Sequence, residues 1–239
     1  MGDAPIAAVL VVVPARDEEA LLPGCLAALS AALEHLHGVR DVAAELVVVA
    51  DRCADRTAAL AVDAGAWVVA ADEGCVGAAR RRGVEAGLSR LPRVAADRVW
   101  VASTDADTRV PPRWLTHQLA LADDGVDLVL GRAVPDPDEI DAATGARWHQ
   151  RHRTPAELPV HGANLGVRLD AYRAAGGWPR LPEHEDRQLV DVLLGLGTPY
   201  APGLDVVTSA RLAGRSPGGY AGYLRDLVTE LDGTTDVVG

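Results

Sequence analysis

The 239 residues predict an α/β fold, a mainly parallel sheet with helices on both faces. Two observations carry the prediction. Short, β-branched apolar runs alternate with longer stretches of helical spacing, and the runs are apolar throughout, as strands buried on both faces are. A polar cluster also follows each of the first four runs, where such sheets hold their ligands.

The elements come in order. IAAVLVVV (6–13) reads as the first strand, and DEEALLPGCLAALSAALEHL as a helix with Leu21, Leu22, Cys25, Leu26, Leu29 and Leu33 on one face. ELVVVA (45–50) is the second strand, followed by the helix DRTAALAVDAG, which Gly65 closes. AWVVA (66–70) and the helix GCVGAARRRGVEAGLSRL come next. DRVWVAS (97–103) is a fourth strand, PPRWLTHQLALADDG a fourth helix with its proline pair at the start, and DLVLG (127–131) a fifth strand. Beyond residue 131 the character changes. Residues 132–160 are polar and hold four prolines, with one helix expected around DEIDAATGARWHQRHR. VHGANLGVRL reads as a strand, AYRAAGG and EDRQLVDVLLGLG as helices, and LDVVTSARLAGRSPGGY as a strand running into a glycine-rich basic loop. A final helix spans GGYAGYLRDLVTELDG. The expected organisation is one continuous domain, with residues 1–131 as a ligand-binding half and 132–239 as a second subdomain too strand-poor to fold alone.

Composition narrows the partners. A net charge of -11 repels a phosphate backbone, which excludes nucleic acid as a natural ligand. Three cysteines without a CxxC pair suggest neither zinc nor a disulfide framework. The longest apolar stretch is too short to span a bilayer, and Asp3 sits where a signal peptide would be basic, so a cytoplasmic protein with no integral membrane segment is expected.

The chemistry concentrates at the strand ends. In TDADT, Asp105 and Asp107 flank Ala106, and alternate residues of an extended segment face one way. Two carboxylates so placed suit a hard divalent cation that also binds phosphate oxygens; the bland alternative is a solvated turn. Asp51 closes the second strand, where an acid would hold a ribose hydroxyl or a base edge, or cap the next helix. Asp55 reads as a cap. Arg80 could reach a pyrophosphate, whereas Arg81 and Arg82 read as a solvated helix face. Glu185 and Asp186 begin a helix: the macrodipole favours acids there, and a carboxylate there could equally be a general base. His184 beside them offers a ligand or a hydrogen bond. His161, Gly162 and Asn164 in HGANLG present backbone and amide groups with little bulk, while Arg211 and Arg215 lie in a loop able to close over a diphosphate. There is no GxGxxG after the first strand and no P-loop, so dinucleotide oxidoreductases and ATPases lack their signature.

Taken together, VVVPARDEE (11–19), VVVADRCADRT (48–57), GAARRRG (77–83), TDADTRVPPRWL (104–115), HGANLGVR (161–168) and AAGGW with HEDRQL (174–189) make the chain resemble the family 2 glycosyltransferases of GT-A fold over nearly its whole length. The resemblance implies a nucleotide-sugar donor in the first half and a small-molecule, lipid or glycan acceptor in the second, with a homodimer as one arrangement. It places Mn²⁺ or Mg²⁺ on Asp105 and Asp107, nucleoside contacts on Pro14, Ala15, Arg16, Glu18 and Asp51, and the base on Asp186 with Glu185 beside it. The family's V-D-D-G-S-x-D-x-T appears here as VADRCADRT, with Ala50 replacing its first aspartate. A nucleotidyltransferase, or a nucleotide-sugar binding protein without activity, are the competing readings; the first would show a glycine-rich basic signature where PARDEE stands.

Overall fold

Strand β1 (Ala8–Ala15) lies inside the sheet because its side chains are apolar on both faces. Val9, Val11 and Val13 pack under α1 (Leu22–Val39) and α4 (Trp114–Asp123) on one side. Leu10 and Val12 pack on the other, against α3 (Val76–Leu88) and the layer formed with α6 (Leu169–Ala174) and α7 (Glu185–Gly195). β2 (Ala43–Asp51) and β4 (Val99–Ser103) flank β1 in parallel, with Val12 opposite both Val47 and Ser103. β3 (Trp67–Ala71) joins β2 in parallel, after the short helix α2 (Thr57–Asp63).

Beyond β4 the sheet changes direction. β8 (Leu165–Arg168) inserts antiparallel between β4 and β6 (Leu128–Leu130), and β9 (Tyr200–Pro202) closes the far edge parallel to β6. The seven-stranded order is β3-β2-β1-β4-β8-β6-β9. A second, three-stranded sheet joins β5 (Thr108–Arg109), β10 (Val206–Thr208) and β7 (Ala133–Pro135). It pairs Thr208 with Thr108, which brings the segment after β10 beside the Asp105–Asp107 turn. α5 (Ala142–Arg151), capped by Asp141, and α8 (Tyr220–Thr235) enclose a separate small core of Trp148, Ala210, Leu224 and Leu227.

This computed structural model describes residues 5–152, 158–214 and 218–235, with backbone alone over 231–235. Among them, no helix is long and apolar enough to cross a membrane. α1 starts later than its sequence suggests, at Leu22, with Pro23 in its first turn. Proline suits a position whose N–H has no helical partner, so the acids of PARDEE stay outside the helix, on the rim.

Two glycines set the depth of α3. A Cβ on Gly83 would lie 2.5 Å from Val12 Cγ1, and one on Gly87 2.3 Å from Leu10 Cδ1. The helix therefore rests directly on β1 and β2, and its N-terminal end, with Arg80, is drawn to the carboxyl rim of the strands.

Candidate active site

The rim opens into a cleft of about 760 Å³. Pro14, Ala15, Arg16 and Glu18 reach it from the end of β1, Asp51 from β2, Arg80 from α3, and Asp105, Ala106 and Asp107 from the turn after β4. The second half brings His161 and Gly162, then His184, Glu185 and Asp186 at the start of α7, and Arg211 after β10. Arg215 lies outside the described residues.

Asn164 is a correction. It is 1% exposed and does not reach the cleft. Its amide donates to the carbonyls of Arg132 (2.9 Å) and Leu204 (2.8 Å) and accepts from Trp114 Nε1 (2.9 Å). A buried amide must satisfy all its polar atoms, and this one does so within the protein, holding β8 to the segments around β6 and β9.

The D-x-D turn is held at both acids. Asp105 Oδ1 accepts from Arg80 Nη2 at 2.5 Å, and its backbone carbonyl accepts from the buried Cys25 thiol. Asp107 Oδ2 lies 2.9 Å from Arg211 Nη2, and the same guanidinium donates to both oxygens of Glu18, at 2.7 and 2.9 Å. Burial pushes the Asp107 carboxyl up to about 6, helped by the charges of Asp105 and Glu18 and opposed by Arg211. Desolvation and like charge together outweigh the pull of Arg211 there. Hard carboxylate oxygens on one cleft are the donor type Mn²⁺ or Mg²⁺ takes, so Asp105 and Asp107 fit a divalent ion.

Asp51 has a structural task as well as a place in the cleft: its Oδ1 accepts from the N–H groups of Glu73 (2.6 Å) and Gly74 (3.2 Å). Asp55, one residue before the cap position of α2, accepts from Thr57 N and Glu19 N. Arg80 is 2% exposed and donates from its two terminal nitrogens to Glu185 and Asp105. Arg81 is not simply a solvated arginine, since it donates to the carbonyls of Gly176 and Trp178.

Glu185 and Asp186 are adjacent but unlike. Glu185 is buried against Arg80; burial pushes its carboxyl up while Arg80 pulls it down. Asp186 is half-buried on the cleft, its Oδ2 accepting from Gly162 N (2.8 Å) and Oδ1 from Arg187 N (2.8 Å). Each bond leaves a lone pair on a carboxylate oxygen, and Asp186 lines the cleft. His184, at φ 59°, makes the left-handed turn that starts α7. His161 is held low by burial, hence neutral near pH 7, and meets the Tyr220 ring edge-on at 6.1 Å.

His152, Tyr220 and Tyr223, which no sequence motif nominates, line the same cleft. His152 stacks on Trp148 at 4.1 Å and meets the Tyr223 ring edge-on at 5.9 Å. The one available signal was the Tyr-x-x-Tyr spacing at the start of the last helix, which says that two rings share a face but not what they face.

The sequence profile of glycosyl transferase family 2 matches residues 10–176. No functionally curated protein matches the chain. Among solved structures, it is similar to glucosyl-3-phosphoglycerate synthase from Mycobacterium tuberculosis in complex with Mn²⁺, uridine diphosphate and phosphoglyceric acid. That likeness has 18% identity and a TM-score of 0.57, over 94% of this chain and 77% of the other. A mycobacterial protein gives 21% identity and a TM-score of 0.60, over 94% and 74%. S. aureus TarS 1–349 gives 13% and 0.57, over 85% and 60%. The structural likenesses speak for the GT-A fold, and the family match ends before Asp186 and Arg211, whose placement is known from geometry alone. Because the family profile spans well over half of its length, the chain belongs to glycosyl transferase family 2 and is a glycosyltransferase.

Proposed function

We propose that the enzyme moves a sugar from a nucleotide-diphosphate donor to an acceptor hydroxyl by a single displacement that inverts the anomeric carbon. The observation that carries this reading is that the Asp105–Asp107 turn and Asp186, from opposite halves of the chain, open on one cleft.

The donor's nucleoside lies along Pro14, Ala15, Arg16 and Asp51, with its diphosphate towards Asp105 and Asp107. These two acids would hold the divalent ion, which would supply a Lewis-acid charge against the leaving diphosphate. Arg211, already against Asp107 and Glu18, is placed to add a guanidinium to that diphosphate. Asp186 takes the proton of the acceptor hydroxyl; the oxygen forms its bond to the anomeric carbon as the bond to the diphosphate oxygen breaks. Gly162 N–H and Arg187 N–H keep the carboxylate oriented for that transfer. The acceptor is a small hydroxyl compound seated against His161, Tyr220 and Tyr223. The Mn²⁺ and uridine diphosphate bound by the mycobacterial synthase support the donor class.

A thermal-shift panel of UDP-, GDP-, ADP- and dTDP-sugars, with and without Mn²⁺ or Mg²⁺, tests the donor site. One nucleotide should raise Tm markedly more with metal than without, and the Asp105→Ala, Asp107→Ala double variant should lose that metal-dependent part. Equal shifts with and without metal in both proteins would remove the cation from the mechanism. Asp186→Asn should bind donor within about threefold of wild type and transfer at least about 10²-fold more slowly. Proton NMR of the product's anomeric centre reports inversion directly, and a retained configuration would rule out single displacement.

A further inference from the structure

Arg80 is the most deeply buried charge among the cleft residues, and its surroundings are built around it. The residue is 2% exposed. Nη2 donates to Asp105 Oδ1 and Nη1 to Glu185 Oε1, so one planar group joins the donor-side turn to the first residue of α7. The face of Trp178 lies 5.0 Å from Cζ. Two glycines make room. A Cβ on Gly162 would sit 2.5 Å from the guanidinium atoms; one on Gly77 would sit 2.0 Å from the Pro179 carbonyl oxygen and 3.0 Å from Glu185 Cβ. α3, the turn at Gly162–Asn164 and α7 thus converge on this cation. Gly162, packed on the guanidinium, also donates its N–H to Asp186 Oδ2.

We propose that Arg80 is a positioning residue that fixes Asp186 relative to Asp105, and so sets the spacing between the proton acceptor and the leaving diphosphate. It acts on Asp186 by two routes, through the neighbouring Glu185 and through the Gly162 amide packed against it. Its consequence for catalysis rests on the roles of Asp186 and Asp105 proposed above; its structural part does not. The competing role is the one its position in the sequence suggests, a direct ligand of the pyrophosphate. A guanidinium spans two carboxylates with parallel N–H groups, whereas an ammonium is a single point charge. Lysine at position 80 would keep the charge and lose the span, and a misplacement of about 1 Å costs on the order of 10²-fold in rate.

Amide exchange of Gly162, followed by NMR in the substrate-free protein, reads the position of Asp186 without any substrate. Arg80→Lys and Glu185→Gln should each speed that exchange about tenfold or more, while β1 amides keep wild-type protection and show that the sheet is intact. With nucleotide-sugar, each variant should lose about 10²-fold in kcat with donor Kd within threefold. The double variant should be no worse than Arg80→Lys alone, because both changes break one bridge. Unchanged Gly162 exchange in both variants overturns the proposal. So does an Arg80→Lys protein with normal kcat at saturating donor and at least tenfold weaker donor binding, which would make Arg80 a diphosphate ligand. Accelerated exchange in a protein whose wild type turns over no sugar nucleotide would uphold the clamp and refute the functional reading instead.

Discussion

Asn164 shows what a residue's identity conveys and what it withholds. HGANLG places an amide among small residues near the site, which reads naturally as a ligand contact. Yet the three partners of Asn164 come from residues 114, 132 and 204, and no local pattern announces partners that distant. The carboxylates were more legible: acids gathered at the rim where such sheets hold ligands point to the cleft, and Asp105, Asp107 and Asp186 do face it. The arginines were half legible. Arg80 and Arg211 reach the site, but the carboxylates that hold them, Asp105 and Glu185 for one and Glu18 and Asp107 for the other, are brought together only by the fold. For Asn164→Ala the structure predicts lost stability rather than lost chemistry. Three buried polar groups lose their partner, which costs about 2–3 kcal/mol in all if water reaches some of them. For a chain of this size that is a fall of roughly 5–10 °C in Tm. Donor affinity of the folded protein should stay within about twofold, so a calorimetric melt and a binding titration together separate this role from a ligand contact.

Among the elements, α3 is the one whose sequence looks least like its structure. Gly77, Gly83 and Gly87 in thirteen residues argue against a stable helix on propensity alone, each costing up to about 1 kcal/mol relative to alanine. Packing wins because Gly83 and Gly87 let the helix settle onto Val12, Val49, Leu10 and Val47. The same contacts reverse the usual sign of a glycine-to-alanine change. Gly83→Ala should gain about 1 kcal/mol of propensity and lose more to overlap with Val12 and Val49; overpacking costs typically 1–3 kcal/mol. Net destabilisation is expected, together with a lower kcat as Arg80 is pushed off the rim. Gly38 in α1 has nothing within 4 Å of its would-be Cβ, so Gly38→Ala should hold or raise stability, by up to about 0.5–1 kcal/mol. Chemical denaturation of the two variants beside wild type tests both signs, and a stabilised Gly83→Ala would mean that packing does not set the depth of α3.

At the scale of the whole molecule, the first half of the sheet was readable and the second was not. β1 to β4 are apolar, separated by helices, and so parallel. β6, β8 and β9 are only three or four residues long, and nothing in them reveals that β8 turns back between β4 and β6. That insertion decides how the two halves depend on each other. Trp100 and Val101 of β4 pair with Arg168 and Val167, and Leu128 and Val129 of β6 pair with Val167 and Gly166. A chain ending at residue 131 would therefore hold β4 and β6 with no strand between them. Each would expose an edge of unpaired N–H and C=O groups beside apolar side chains, the condition under which strands associate with other chains. It would also lose Leu165, Val167, Leu189, Val190 and Leu193, which cover Leu10, Val12 and Val101. We expect the 1–131 fragment to aggregate, or to melt without a cooperative transition, although it holds the whole D-x-D turn. Co-expression with 132–239 should restore a folded complex, because the missing strand then returns to its slot. Sedimentation and a circular-dichroism melt of the fragment alone give the decisive reading. A monomer with a sharp transition would show that residues 1–131 are a domain in their own right, and that β8 is an addition to it rather than part of its core.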